Sequence, residues 1–297
     1  MTAIPSPGVP MHPNLKAAIW MSGAIVSFSA MAVAGKAVST DLDTFEIMLY
    51  RSLIGFVIVL TAASLTGRRG EINARHMGWH TLRNISHFTG QNLWFYAVTA
   101  IPLAQVFALE FTAPLWVLLL SPLVLGERLT TGRVLAGAAG FVGILIVARP
   151  SPETINAGVI AAALAAIAFA GSAVFTRRLM RSVSATCVLF WLTTMQAVLG
   201  LVCAGFDGDI AVPAAASWPW VALIAVAGLV AHFCLTTALG LAPAAVVMPI
   251  DFTRLPVIAV VGALIYGEAL DPMVFLGGFV IFAANYLNLR HETKRVT

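Results

Sequence analysis

Apolar segments of about twenty residues follow one another along nearly the whole chain. They are continuously apolar and do not alternate with a period of two, so they predict helices rather than the strands of a barrel. About twenty helical residues cross a hydrocarbon core of about 30 Å. We therefore predict ten transmembrane helices, at residues 16–36, 45–65, 77–99, 102–124, 132–149, 156–177, 186–206, 219–240, 243–265 and 272–290.

Composition supports an all-α integral membrane protein. Of the 297 residues, 60% are hydrophobic and 10% are charged, whereas about a quarter of residues are charged in soluble domains. Residues 1–15 contain four prolines and are expected to form a disordered tail, while residues 291–297 form a C-terminal tail. Three scattered cysteines provide no disulfide framework.

The basic residues predict the orientation in the membrane. With the N-terminus in the cytoplasm, thirteen of the seventeen Lys and Arg, including Arg83, fall in cytoplasmic segments or at their helix ends. Such a bias favours a multi-pass protein of the inner membrane with both termini cytoplasmic. Orientation also explains the basic pI near 9.3, so nucleic acid is not an expected partner. Arg51 and Arg254 instead lie within predicted spans.

The chain is an internal duplication. When the sequence is shifted by 141 positions, residues 96–149 match residues 237–290 at fourteen of fifty-four positions, without a gap. The matches include the repeated pairs "FT" and "GE". We predict five-helix repeats at 16–149 and 156–290, and the odd number of helices gives them inverted topology. This architecture is typical of secondary transporters, whose site lies near the midplane between the repeats.

Under the same shift, Glu110 falls on Asp251, and both lie near the middle of their predicted helices. A charge at a helix centre costs on the order of 2.5 to 3.5 kcal/mol, so such residues usually have partners or face a wet cavity. One interpretation is two structural ion pairs, Asp251 with Arg254 and Glu110 with Arg51. The other is that the four charges line a cavity and bind substrate groups or a proton.

Polar side chains form a stripe on the third predicted helix. Asn84, His87 and Gln91 are spaced by three and four residues, and Trp94 continues the stripe. His232 is the repeat partner of Gln91. Histidine packing and an interfacial belt position for Trp94 are the competing interpretations. The candidate substrate-binding residues are Arg51, Glu110, Asp251, Arg254, His87, Gln91, Trp94 and His232.

Prolines crowd the fourth and ninth predicted helices. Because proline removes a helical hydrogen bond, they predict interrupted helices at matching positions of both halves, which point to a transporter site. Simple kinking for packing is the alternative. Glu127 and Glu268, in the repeated "GE" pairs, are expected to be helix-end residues rather than ligands. No metal-ligand spacing is present, so neither a metal nor a cofactor is expected.

These features resemble the drug/metabolite transporter superfamily, specifically its EamA-type members. The resemblance rests on the duplication, the "P…E/DFT…P…GE" block and "MLYRSLIG" in the second helix, and it covers residues 16–290. Arg51 corresponds to the arginine common in that second-helix motif. The resemblance implies helices around a central cavity and movement of small organic metabolites without ATP. Some relatives carry riboflavin, carnitine or S-adenosylmethionine, and others export amino acids.

The sequence therefore predicts a secondary transporter that works by alternating access, and not an enzyme. The expected substrate is an amphiphilic or zwitterionic metabolite of amino-acid, vitamin or nucleoside-like type. A proton is a candidate coupling ion, the lipid bilayer is the surrounding partner, and the oligomeric state stays open. The alternative class is an intramembrane lipid-modifying enzyme. Against it, the chain lacks the spacing of a Ser/His/Asp triad, a zinc protease or a phosphate loop.

Overall fold

The computed structural model describes residues 12–148, 156–206, 208–267, 272–273, 275–280 and 283. Within these residues the regular structure is helical, with two short 3₁₀ turns, Arg69–Glu71 and Asp251–Thr253. The helices are α1 Pro13–Val38, α2 Thr44–Leu65, α3 Met77–Ala100, α4 Leu103–Glu110, α5 Ala113–Leu125, α6 Thr131–Ala148, α7 Ala157–Leu179, α8 Ala185–Ala204, α9 Trp218–Leu241, α10 Ala244–Ile250 and α11 Arg254–Tyr266.

Among the described residues, six spans are long and apolar enough to cross a membrane, which makes the chain a multi-pass membrane protein. They are α1, α2, the segment Leu103–Leu125, α7, α8 and α9. Helix α3 has 24 residues but is not among them, because its polar stripe lowers its hydropathy. The tenth predicted span lies largely outside the described residues. Within it, residues 272–273 and 275–280 are described and are helical.

Helix α1 begins earlier than the sequence predicted. Pro13, assigned to a disordered tail, occupies the first helical turn, where its missing N–H costs no hydrogen bond. His12 caps the helix, and its Nδ1 accepts the backbone N–H of Asn14 at 3.2 Å. Residues 1–11 and the predicted C-terminal tail 291–297 lie outside the described part of the chain.

The predicted fourth and ninth spans are both interrupted, at positions 141 residues apart. Helix α4 ends at Glu110 and α5 starts at Ala113, while the 3₁₀ turn Asp251–Thr253 separates α10 from α11. The same type of hydrogen bond, from a threonine hydroxyl to the backbone carbonyl three residues earlier, spans each break. The Thr112 hydroxyl donates to the Leu109 carbonyl at 2.8 Å, and the corresponding Thr253 hydroxyl donates to the Ile250 carbonyl at 3.0 Å. The repeated "FT" pair therefore marks a repeated helix break.

The repeated "GE" pair marks the ends of α5 and α11. Gly126 and Gly267 have φ angles of 66° and 64°, a left-handed conformation that glycine adopts without the steric cost other residues pay. Glu127 follows directly and pairs with Arg177, with 3.6 Å between Oε1 and Nε. The expectation that Glu127 is a helix-end residue agrees with this position, whereas Glu268 lies outside the described residues.

The two halves pack against each other through exchanged partners. The most extensive contacts join α1 with α9, α3 with α7, and α2 with α8. The first helix of each half thus packs on the third helix of the other, and the two second helices pack together. Helices α10 and α11 contact α5 and α4 respectively. The interrupted spans therefore meet where the halves join.

The α2–α8 contact depends on a glycine. A Cβ atom at Gly200 would lie 2.9 Å from the Leu49 backbone nitrogen and 3.0 Å from its Cα. We expect Gly200→Ala to force these helices apart and to destabilise the protein by about 1–3 kcal/mol. Gly78→Ala is the control, since nothing lies within 4 Å of its Cβ position and alanine favours a helix. Thermal unfolding in detergent measures both, and equal midpoints would contradict this packing.

Candidate functional site

A cavity lined by charged, polar and aromatic side chains lies between the halves. Its walls come from α1, α3, α4, α7, α9, α10, α11 and the 3₁₀ turn at 251–253. Five pairs of lining residues are 141 positions apart in the sequence: Phe28 and Phe169, Met31 and Ser172, Gln91 and His232, Trp94 and Leu235, and Glu110 and Asp251. Both halves therefore contribute corresponding positions to one chamber.

Two carboxylates and one arginine form an ion cluster in the cavity wall. Arg254 Nη2 donates to Glu110 Oε1 and, at 2.7 Å, to Asp251 Oδ2. Trp94 Nε1 donates to the other Glu110 oxygen at 2.6 Å. With both carboxylates ionised the cluster carries one net negative charge. Asp251 Oδ1 is buried and has no hydrogen-bond partner among the described residues.

The helix break and nearby aromatic rings position this cluster. The 3₁₀ turn places Asp251 three residues before Arg254, so both side chains reach the same side of the chain. The Arg254 guanidinium lies 5.0, 4.8 and 5.3 Å from the ring centroids of Phe28, Phe107 and Phe111. Ring faces attract a cation, which helps a buried arginine offset the loss of its hydration.

Arg51 does not occupy the position that the sequence suggested. Glu110 pairs with Arg254 and not with Arg51, and Arg51 is absent from the cavity wall. Its Nη1 lies 3.7 Å from the Met48 sulfur, and its Nη2 would be 2.8 Å from a Cβ on Gly228. Arg51 therefore packs against the backbone of α9, and no described carboxylate is within ion-pair distance of it.

Three members of the predicted α3 stripe face the cavity, and the fourth does not. His87, Gln91 and Trp94 line it, whereas Asn84 turns back to donate to the His80 carbonyl at 2.8 Å. Trp94 is only 2% exposed, which rules out an interfacial belt position. Its hydrogen bond to Glu110 makes it a residue that orients a carboxylate.

The two histidines meet across the cavity. The ring centroids of His87 and His232 are 4.5 Å apart, and the angle between the ring planes is 82°. Ser172 Oγ lies 3.4 Å from His87 Nδ1. Both Nε2 atoms and Gln91 Oε1 are buried without a hydrogen-bond partner in the described part of the chain. Buried polar atoms normally have a hydrogen-bond partner, so these three atoms are available to form hydrogen bonds with a ligand. The described residues contain no group of three side chains suited to a metal ion.

Sequence reasoning missed Arg83. We counted it among the cytoplasmic basic residues, yet it is 2% exposed and lines the cavity. Its Nε donates to Thr176 Oγ1 at 3.3 Å and its Nη1 to Asn84 Oδ1 at 2.9 Å. The available signal was spacing: Arg83 lies four residues before His87, so it extends the α3 stripe by one turn.

A multi-pass helical protein that encloses a charged polar cavity between two halves has the construction of a membrane transporter. Comparison with known proteins agrees. The chain belongs to the EamA-like transporter family, whose model matches residues 15–149 and, a second time, residues 156–290. The predicted family is therefore confirmed, and the chain is a transporter rather than an enzyme.

Several relatives are named for the molecule that they transport. The chain is 29% identical to a riboflavin transporter of Brucella anthropi, over 92% of this chain and 98% of that protein. It is 30% identical to a riboflavin transporter of Rhizobium johnstonii, over 94% and 92%. An S-adenosylmethionine uptake transporter of Rickettsia bellii is 25% identical, over 94% of each chain. A protein of known crystal structure has the same fold, with a TM-score of 0.75 at 20% identity, over 93% of this chain and 97% of that one.

Proposed function

We propose that this protein is a secondary active transporter that moves a small amphiphilic metabolite across the inner membrane by alternating access around the cavity. The observation that carries the proposal is the set of lining residues in pairs 141 positions apart. A chamber built from corresponding positions of two halves is what rocking of the halves around one site requires.

The proposed architecture has ten transmembrane helices in two inverted five-helix repeats, residues 16–149 and 156–290, with both termini cytoplasmic. The exchanged packing of first and third helices supports it. Breaks at Thr112 and Thr253 support it as well, since they interrupt the fourth and ninth spans at equal positions. The excess of positive charge in the segments assigned to the cytoplasm gives the orientation.

The proposed substrate has a planar heteroaromatic ring and a polar extension. Phe28, Trp94 and Phe169 provide aromatic surface in the cavity wall, while His87, His232 and Gln91 hold unpartnered polar atoms. Such a ring can stack on the aromatic side chains and hydrogen-bond to those atoms. Riboflavin and S-adenosylmethionine, named in the relatives, both have this general chemistry and are the first probes to use.

Glu110 and Asp251 give the proposed site its coupling chemistry. Together they carry one more charge than Arg254 neutralises. An uncompensated negative charge in a low-dielectric site attracts a proton or a cationic substrate group. We assign the coupling proton to this pair of carboxylates.

Uptake into proteoliposomes tests the proposed function. Purified protein is reconstituted and given radiolabelled riboflavin or S-adenosylmethionine, with and without a pH gradient. We expect protein-dependent accumulation of at least one probe, and faster accumulation with the gradient. Rates equal to those of protein-free liposomes for both probes would contradict the proposed substrate class.

Contacts at the two ends of the cavity are candidate gates. Arg177 Nη1 donates to the Leu239 carbonyl at 2.5 Å, and the same arginine pairs with Glu127. It thereby joins the ends of α5, α7 and α9 next to Thr176, which lines the cavity. At the other end, the Lys36 ammonium lies 4.4 Å from the centre of the Tyr266 ring. Lys36 and Arg177 are again 141 positions apart.

We expect Glu127→Gln to open the end of the cavity that Arg177 closes. The readout is the rate at which a membrane-impermeant maleimide labels Thr176→Cys in a variant without native cysteines. Loss of the ion pair should raise that rate several-fold. Glu71→Gln is the matched control, because the Arg68–Glu71 pair is more exposed, at 58% and 36%. Equal labelling rates for the two variants would contradict the gate.

A further inference from the structure

Arg83 lines the cavity without a carboxylate partner. Its neighbours are neutral acceptors, Thr176 Oγ1 and Asn84 Oδ1. No described aspartate or glutamate lies within 4 Å of its guanidinium, and no described atom accepts a hydrogen bond from Nη2. A buried guanidinium with only neutral partners has lost hydration without full compensation. Arg83 lines the chamber in which the substrate is expected to bind.

The surrounding contacts hold Arg83 in place. The Thr176 hydroxyl also donates to the Ser172 carbonyl at 2.8 Å, so its lone pairs are free to accept from Arg83. Asn84 is fixed in turn, because its Nδ2 donates to the His80 carbonyl and Gln196 Nε2 donates to its backbone carbonyl at 3.0 Å. The guanidinium is therefore oriented before any ligand arrives, which lowers the entropy cost of binding.

Arg254 and Arg51, which are also buried, are not available to bind an anionic group in the cavity. Arg254 already pairs with two carboxylates, and Arg51 does not line the cavity. The four charged lining residues, Arg83, Arg254, Glu110 and Asp251, sum to zero, with a cation at one end and the net negative cluster at the other. Arg83 and Trp94, which binds Glu110, are eleven residues apart in α3, or roughly 16 Å along the helix axis.

We propose that Arg83 binds an anionic group, a carboxylate or a phosphate, of the transported molecule. The inference rests on the proposed function. It adds that the substrate is elongated, with its anionic group at the Arg83 end and a cationic or proton-donating group towards Glu110 and Asp251. Guanidinium groups suit carboxylate and phosphate oxygens because they offer two parallel donors.

Matched probes test the inference by equilibrium dialysis with the purified full-length protein. S-adenosylmethionine and its decarboxylated form differ by a carboxylate, and riboflavin 5′-phosphate and riboflavin differ by a phosphate. We expect the wild type to bind the anionic member of at least one pair about tenfold or more tightly. Arg83→Gln should remove this preference but should still bind the member of the pair that lacks the anionic group. Arg83→Lys should restore part of the preference.

Arg51→Gln is the matched control, because it removes another buried arginine, 6% exposed against 2% for Arg83, that is outside the cavity wall and should preserve the affinity ratio. A preference within the S-adenosylmethionine pair indicates a carboxylate site, and a preference within the riboflavin pair indicates a phosphate site. If probes bind but Arg83→Gln leaves the ratio unchanged, or the wild type has no preference, the role of Arg83 is wrong and the proposed function stands. If the wild type binds none of the four probes, the proposed substrate class and this inference both fall.

Discussion

Arg254→Gln is expected to destabilise the protein by about 3–5 kcal/mol, because it leaves two buried carboxylates without their shared cation. Glu110 and Asp251 both pair with this guanidinium, so its removal turns mutual attraction into repulsion. The loss should lower the thermal unfolding midpoint in detergent and the yield of monodisperse protein. An unfolding midpoint within one degree of the wild type would contradict the role of Arg254.

A triple variant separates stability from transport. Arg254→Gln combined with Glu110→Gln and Asp251→Asn removes all three charges, and neutral amides can hydrogen-bond to one another. Replacing a whole buried ion cluster by neutral groups is often nearly neutral for folding, so the unfolding midpoint should recover most of its loss. Transport should not recover, because the proposed proton-binding carboxylates are gone. Recovery of both would show that the cluster is only structural.

Asp251→Asn is expected to lower proteoliposome uptake about tenfold or more and to abolish its acceleration by a pH gradient. The fold should survive, because Glu110 and Arg254 still neutralise each other. What disappears is the surplus carboxylate, whose Oδ1 has no partner in the described structure. Glu110→Gln should act in the same direction, since it also leaves one carboxylate for one arginine.

Asp41→Asn is the control for these transport measurements. Asp41 lies between α1 and α2, and its Oδ2 accepts the Ala214 backbone N–H at 2.9 Å. That hydrogen bond, together with one from Ser217, holds the pKa of Asp41 below its usual value, so it remains ionised at neutral pH. Its neutralisation should leave uptake and the gradient effect unchanged. Native uptake and native gradient response in both Asp251→Asn and Glu110→Gln would contradict the coupling role.

The duplication carried most of what the sequence could reveal. A shift of 141 positions predicted that Glu110 and Asp251 belong together, and the breaks after them follow from the same "FT" pair. It could not reveal the cations. Arg254 aligns with Ala113, and Arg83 aligns with Ile224, so repeat symmetry contains no information about either. The Glu110–Arg254 pair joins residues 144 positions apart, which helical periodicity cannot predict.

Charge counting along the chain misplaced Arg83 for a physical reason. An arginine seven residues into a helix can extend its long side chain back to the membrane surface or turn towards the bundle interior. The sequence is the same in both cases. What decides is the acceptor on the facing helix, here Thr176 of α7. Arg51 was misplaced in the opposite direction, since the sequence assigned it to the binding site and the structure places it outside the cavity wall. The absence of a side chain at Gly228 lets its guanidinium pack against α9.

We propose that the chamber shared by the two halves is the path of the substrate. Ser172→Cys, in a variant whose three native cysteines are replaced by alanine, places a thiol on its wall. Ser52→Cys is the control, since Ser52 is buried at 4% exposure and does not line the cavity. A membrane-impermeant maleimide is applied to sealed vesicles of each orientation. We expect Ser172→Cys to react from both faces and Ser52→Cys from neither, whereas labelling of Ser172→Cys from one face only would exclude the chamber as the path of the substrate.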